Sequence, residues 1–213
     1  MAAKTDLRKS LESYRARQGE LRLVDVPDLT YLVLDGRGDP SDPGFAESVE
    51  SLYPVAYAMK AASRRELDRD YVVPPLEGLW WADDMDAFTV ACDRAQWRWR
   101  LMLLVPDWLD EAAYDAAVAA VRSKGRSPRI EDVRCETLSE GSCLQTLHVG
   151  SFEAEAEVVQ RIHDHAASQG LRLGGRHHEI YLSHFRRVPP ERRRTIVRQP
   201  VVSEGGEDDL SGS

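Results

Sequence analysis

The sequence predicts an α+β fold in which a strand-helix-strand-strand unit occurs twice. Three observations carry this expectation. Residues 97–105 alternate, with Trp97, Trp99, Leu101 and Leu103 on one side and Arg98, Arg100, Met102 and Leu104 on the other, the two-residue period of a strand. Phe45, Val49, Leu52, Ala56 and Met59 recur with the spacing of an amphipathic helix. The two halves also match each other weakly. Residues 31–36 and 144–150 both read as strands that end at glycine and lead into a long helix, and each helix is followed by a strand carrying a glutamate beside aromatic residues, Glu77 with Trp80 and Trp81, Glu179 with Tyr181. Two such units are expected to pack pseudo-symmetrically as antiparallel sheets with a groove between them.

The elements follow in order. Residues 1–28 are a polar lead, flexible or peripherally packed, with one short helix around Leu11. The run Tyr31-Leu32-Val33-Leu34 is a buried strand entering the turn Asp35-Gly36-Arg37-Gly38. Asp42 stands before Pro43 as a helix cap followed by proline at the first helical position. Tyr53 and Tyr57 form a second stripe on this helix, and Arg64 and Arg65 complement its dipole. Tyr71-Val72-Val73 and residues 76–81 read as strands, with Pro74 and Pro75 marking an edge or bend between them. An acidic connector follows, residues 82–88, and later an alanine-rich helix over 109–124, closed by Gly125. Residues 130–138 and 144–149, separated by Ser139-Glu140-Gly141-Ser142, read as a hairpin. Ser151 is placed to cap the next helix, where Val158, Ile162 and Ala166 are four apart and Gly170 ends the run. Residues 177–183 form a strand with His177, Glu179 and Tyr181 on one face and the more core-like Ile180 and Leu182 on the other. A last strand over 195–202 precedes an acidic, glycine-rich tail, 203–213, expected to be disordered. The folded domain is thus expected over 29–202, with repeats at about 29–108 and 130–202.

Composition narrows the function. A hydrophobic content of 42% with 30% charged residues is that of a globular domain, and no apolar run approaches the ~20 residues of a membrane span. The N-terminus has no apolar signal segment, so a cytoplasmic protein is expected. The net charge of −8 argues against a nucleic-acid partner, although Arg186-Arg187 and Arg192-Arg193-Arg194 form local basic clusters. Some 28 residues before the first expected strand are too few for a helix-turn-helix head. Cys92, Cys135 and Cys143 make no disulfide framework. All six histidines follow residue 147, but their spacing suits no metal. His163 and His165 are two apart on a helix, and His177 and His178 point to opposite sides of a strand. Neither a metal nor a cofactor is expected; monomer and dimer both stay open.

All five tryptophans, Trp80, Trp81, Trp97, Trp99 and Trp108, fall between residues 74 and 108. Such a cluster makes either a local core or the aromatic wall of a small-molecule site. Adjacent strand residues alternate sides, so one of each close pair belongs to the core.

The strings YLVLDGRGDP, LYPVAYAMK, YVVPPLEGLWWADDM, WRWRLMLLVPDW and GGRHHEIYLSHFRR, in this order over most of residues 29–200, closely resemble the GyrI-like small-molecule-binding family. The resemblance implies tandem strand-helix-strand-strand repeats of SHS2 type with a ligand groove between them. The stand-alone branch with an LEGLWW-type hairpin is similar to the cyclopropanoid cyclopropyl hydrolases, which detoxify DNA-alkylating products of the yatakemycin and duocarmycin type. Relatives fused to DNA-binding heads receive flat aromatic or cationic ligands against an acidic residue, a role that maps onto Glu179 of HHEIYL. On this resemblance Glu179 and Tyr181 carry catalysis, and Tyr53, Tyr57, Glu77, Trp80, Trp81, Trp99, Met102 and His148 contact an aromatic ligand. One departure stands out: where relatives read YLSDPRR, this chain has His184-Phe185 in place of Asp-Pro. The alternative to an enzyme is a non-catalytic module that sequesters a drug or binds another protein.

Overall fold

A computed structural model describes residues 4–82, 94–184 and 187–203. Most of the acidic connector, Cys92, Phe185 and the tail from residue 204 lie outside the described residues. The elements are α1 (Leu7–Ser10), β1 (Arg22–Val26), β2 (Leu29–Arg37), α2 (Pro43–Glu66), β3 (Leu76–Trp81), β4 (Arg98–Leu104), α3 (Glu111–Arg122), β5 (Arg134–Leu138), β6 (Gly141–Val149), α4 (Glu155–Ser168), β7 (Leu171–Leu173), β8 (His177–Tyr181) and β9 (Arg194–Ser203).

The strands form one antiparallel sheet in the order β1-β6-β9-β8-β3-β4-β2-β5, with β7 paired to the end of β9. The repeat expected from sequence is present. The first half contributes β2-α2-β3-β4 and the second β6-α4-β8-β9, and in both the sheet order runs outward from a central strand, β3-β4-β2 on one side and β8-β9-β6 on the other. The halves meet where β3 pairs with β8, so the two expected sheets are one sheet with a seam.

Only two residues link β1 to β2 and two link β5 to β6, although those strands stand toward opposite ends of the order. Such a link spans at most about 11 Å, so the sheet curls until its ends approach each other. Its concave, reverse face gathers Tyr14, Tyr31, Val33, Met102, Leu147, Ile180 and Ile196 into one cluster. The front face carries the helices. Helix α2 packs on β2 and β4 and against α3, while α4 packs on β6, β7 and β9. The helices therefore stand over the outer strands of their own halves, and the β3–β8 seam is the floor between them.

The local causes are simple. Pro43 starts α2, and Phe45, Leu52, Ala56 and Met59 are buried beneath it. Trp99 lies flat across β2 because residue 36 is glycine: a Cβ there would stand 2.0 Å from Trp99 Cη2. The αL residues Gly125 and Gly170 end α3 and α4.

Several expectations are corrected. The lead is not peripheral: Tyr14 and Ser13 are buried and β1 pairs with β6 before residue 29. Its polar sequence hides this because the partners are distant in the chain. Residues 71–73 form no strand beyond a single bridge from Tyr71 to Thr5; Pro74 and Pro75 lack the N–H groups a ladder needs. Residues 130–138 and 144–149 are not a hairpin, since β5 pairs with β2 while β6 pairs with β1 and β9. Alternation indicates a strand but does not choose its neighbour. Asp42 and Ser151 occupy cap positions without a side-chain capping bond, and α4 begins only after a 3₁₀ turn at Phe152–Ala154.

Candidate functional site

The strings LEGLWW and HHEIY become β3 and β8, and their register decides which side chains share a face. Glu77 pairs with Ile180, Gly78 with Glu179, Leu79 with His178 and Trp80 with His177. Gly78, Trp80, His177, Glu179 and Tyr181 accordingly face front, and Glu77, Leu79, Trp81, His178 and Ile180 face the reverse. Cross-strand neighbours extend the front rows: Trp99 beside Trp80, and Tyr181 beside Thr195 beside His148.

On the front, Trp80 Nε1 donates to the Tyr181 hydroxyl oxygen at 3.0 Å, directly over Gly78. A Cβ at residue 78 would meet Trp80 Nε1 at 2.9 Å and the Tyr181 hydroxyl at 3.0 Å, so glycine makes room for this bond. Trp97 meets Trp80 edge-on, Phe152 meets Tyr181 edge-on, and Phe45 of α2 stacks on Trp80. His177 Nε2 lies 3.4 Å from Glu179 Oε1, both side chains 14% exposed. Glu155, in the first turn of α4, is buried near Glu179 and Thr195. Burial first, and the neighbouring Glu179 second, push its carboxyl group well above the ordinary range, which favours the protonated form. Burial and the same two glutamates push the Tyr181 hydroxyl up as well. Glu155 Oε1 and His177 Nδ1 are buried without a hydrogen-bond partner, as few side-chain atoms are among the described residues.

The sequence-derived candidates divide. The structure brings Glu179, Tyr181, Trp80 and, at the edge, His148 to the front seam. His148 is buried and bonded through Nε2 to the Ser151 carbonyl at 2.9 Å. Trp99 lies on the same face but is 1% exposed, covered edge-on by Phe45, and belongs to the core. Tyr53 and Tyr57 stack on each other two turns along α2 from Phe45. Tyr57 is exposed and lines a shallow surface depression with Lys60, Ala61, Arg64 and Arg65, apart from the seam residues. Glu77, Trp81 and Met102 project from the opposite face, as strand alternation requires. Met102 is core, Trp81 stacks beneath the Arg176 guanidinium, and Glu77 is buried in a bonded network with Tyr14 and His178. Glu155 was not foreseen, yet it carried a signal: it heads the apolar stripe of α4, three residues before Val158 and seven before Ile162. A glutamate in a core stripe needs a reason.

Among the described residues no group of His, Cys, Asp or Glu side chains is placed to hold a metal ion, and no helix is long and apolar enough to cross a membrane. What remains is an aromatic floor with a carboxylate, a carboxyl group whose protonated form is favoured, an imidazole and a phenol, flanked by two helices. Residues 102–201 match the GyrI-like small molecule binding domain. A protein from Listeria innocua solved as an uncharacterized conserved protein is 35% identical with a TM-score of 0.85, over 93% of this chain and 100% of that one. The chain belongs to the GyrI-like family. A hydrolase from Listeria innocua is 34% identical with a TM-score of 0.81, over 93% of this chain and 100% of that one. The C-terminal domain of EcmrR, 9% identical with a TM-score of 0.52 over 86% of this chain and 98% of that one, shares the GyrI-like fold alone. No curated protein sequence matches at a significant level.

Proposed function

We propose that this GyrI-like domain binds a flat aromatic molecule at the seam and hydrolyses an activated cyclopropane fused to a dienone. The observation that carries this reading is Glu155, buried with one carboxyl oxygen unpartnered, close enough to Glu179 and Tyr181 that each raises the proton affinity of its neighbour. Two carboxyl groups in different protonation states can serve as base and acid in one reaction. Glu179 orients a water and accepts its proton as the oxygen attacks the ring methylene. The ring C–C bond breaks and its electron pair flows through the dienone to the carbonyl oxygen, giving a phenolate. Glu155 donates its proton to that oxygen, and transfer of the proton from Glu179 to Glu155 restores the site. Strain in the substrate supplies part of the driving force, and the partly exposed Trp97 and Phe152, which border the buried Trp80 and Tyr181, offer surfaces on which the flat molecule stacks. The hydrolase among the Listeria relatives supports a reaction of hydrolytic type.

The test is incubation of the protein with a cyclopropanoid alkylator, following the ring-opened product by mass. Glu179→Gln keeps the shape and removes the base, so turnover should fall by ~10²–10⁴-fold with affinity little changed. Product formed equally fast by Glu179→Gln would remove Glu179 from the chemistry. Tight binding with no product in either form would leave a module that sequesters the ligand, for which the unpartnered Glu155 and His177 atoms also suffice.

A further inference from the structure

Behind the seam lies a closed set of charges. Glu77 accepts from the Tyr14 hydroxyl on one oxygen and from His178 Nε2, at 3.0 Å, on the other. His178 Nδ1 donates to Glu140 Oε1 at 2.9 Å, and the second Glu140 oxygen accepts from Arg198 Nη1 at 2.8 Å. Arg198 completes its bonds on Gln145 Oε1 at 3.1 Å and on the Ser13 carbonyl at 2.6 Å. The four charged side chains are at most 3% exposed. Burial alone would strip the proton from His178, but Glu140 and Glu77 outweigh it and raise the imidazole to about 9. Burial also opposes the charge of Glu140, yet His178 and Arg198 bring that carboxyl down to about 2. The set is therefore two anions and two cations, each hydrogen-bonded, the condition under which buried charge is tolerated.

Its placement relative to the front site is specific. The β3–β8 ladder is short, running only from Glu77 to Trp80. A twofold axis through the Gly78–Glu179 pair takes Glu77 onto His178 and Trp80 onto Tyr181. Matched residues of the two repeats thus bond across the seam on both faces, Glu77 to His178 behind and Trp80 to Tyr181 in front. Each latch residue is the chain neighbour of a floor residue, Glu77 of Gly78 and His178 of Glu179. The front contact has little slack on the strand side, because even a single Cβ added at residue 78 would stand 2.9 Å from Trp80 Nε1 and 3.0 Å from the Tyr181 hydroxyl. The N-terminal segment closes the network through Tyr14 and Ser13, which ties a stretch far from the floor to the seam.

We propose that Tyr14, Glu77 and His178 are positioning residues: the ionic latch behind the seam sets how β3 stands against β8, and through it the Trp80–Tyr181 contact and the setting of Glu179. The ligand part of this inference rests on the front seam being the binding site; the Trp80 part does not. The test compares Tyr14→Phe and His178→Gln with Val121→Ala, a core truncation in α3, whose main packing partner is α2. All are measured at a temperature where far-ultraviolet dichroism shows them folded. The readouts are the near-ultraviolet band of Trp80, identified by a Trp80→Phe difference spectrum, and the affinity for the neutral aromatic probe N-phenyl-1-naphthylamine. The latch variants should alter the Trp80 band and weaken the probe by about 2- to 30-fold, the range of coupling through a packed network, while Val121→Ala lowers the melting temperature and moves neither. Latch variants that melt earlier yet keep the wild-type band and affinity overturn the proposal. If wild-type protein ignores the probe, the binding site fails but the Trp80 band still decides the latch. If His178→Gln does not fold, Tyr14→Phe decides alone, since it removes one hydroxyl.

Discussion

The two faces of the β3–β8 seam use the same materials to opposite ends. Behind it, Glu77, Glu140, His178 and Arg198 are sealed from water with each charge paired. In front, Glu155 and Glu179 stand near each other with no arginine among their described partners, burial favours the protonated form of Glu155, and one oxygen of Glu155 and one nitrogen of His177 have no partner. A buried polar atom left unpaired costs about 1–3 kcal/mol. The reverse face thus holds stability, whereas the front gives some up, which under the proposed function a bound molecule restores. Closure separates the reverse charge cluster from the proposed site more sharply than burial or residue type does.

The comparison breaks most visibly at Arg198. Arg198→Met leaves Glu140 buried with one partner fewer and should cost about 3–5 kcal/mol in urea unfolding; a loss below about 1 kcal/mol would mean that the reverse network is not the anchor described. Its pH dependence has a definite sign. His178 is raised above its unfolded value of 6.5, so its contribution is complete below that pH and disappears as pH rises through about 9. Glu140 is lowered from 4.5, so its contribution is present above 4.5 and disappears as pH falls through about 2. His178→Gln should remove the His178 share of the alkaline loss and leave the Glu155 share, so the fall in melting temperature from pH 6 to 10 becomes shallower than in the wild type.

At the seam itself, Gly78→Ala places a methyl group against Trp80 and Tyr181. Overpacking of this kind costs about 1–3 kcal/mol, and it should alter the tryptophan emission as the indole N–H loses its acceptor. Glu155→Gln sharpens the contrast because its sign is reversed. The carboxyl group is raised in the folded state, so native stability weakens as pH rises above the unfolded value of 4.5. The glutamine resembles the protonated acid without that penalty and should stabilise the protein at pH 7 by on the order of 1 kcal/mol, the gain vanishing near pH 4 while turnover is lost. Smallest of all, Tyr57→Ala on the outer side of α2 should move stability by less than about 0.5 kcal/mol and leave ligand affinity unchanged by titration.

The amino-acid sequence alone determined whatever depends on neighbours in the chain. The alternation of Trp97, Trp99, Leu101 and Leu103 against Arg98, Arg100, Met102 and Leu104 is local, and β4 puts the two sets on opposite faces. The stripe from Phe45 to Met59 is local, and α2 buries it. That Glu179 and Tyr181 share a face with His177, opposite Ile180, follows from a period of two. The likeness of the halves was legible for the same reason. Pairing was not legible. Nothing near Leu138 or Gly141 in the chain indicates that β5 seeks β2 while β6 seeks β1 and β9, nor that Tyr14 in a polar lead reaches Glu77. The register of β3 on β8 sets Glu77 beside His178 behind the sheet, and the packing of α4 on β6 and β9 brings Glu155 toward Glu179. These outcomes depend on which distant surfaces exclude water together, a property of the assembled fold and not of any window of residues.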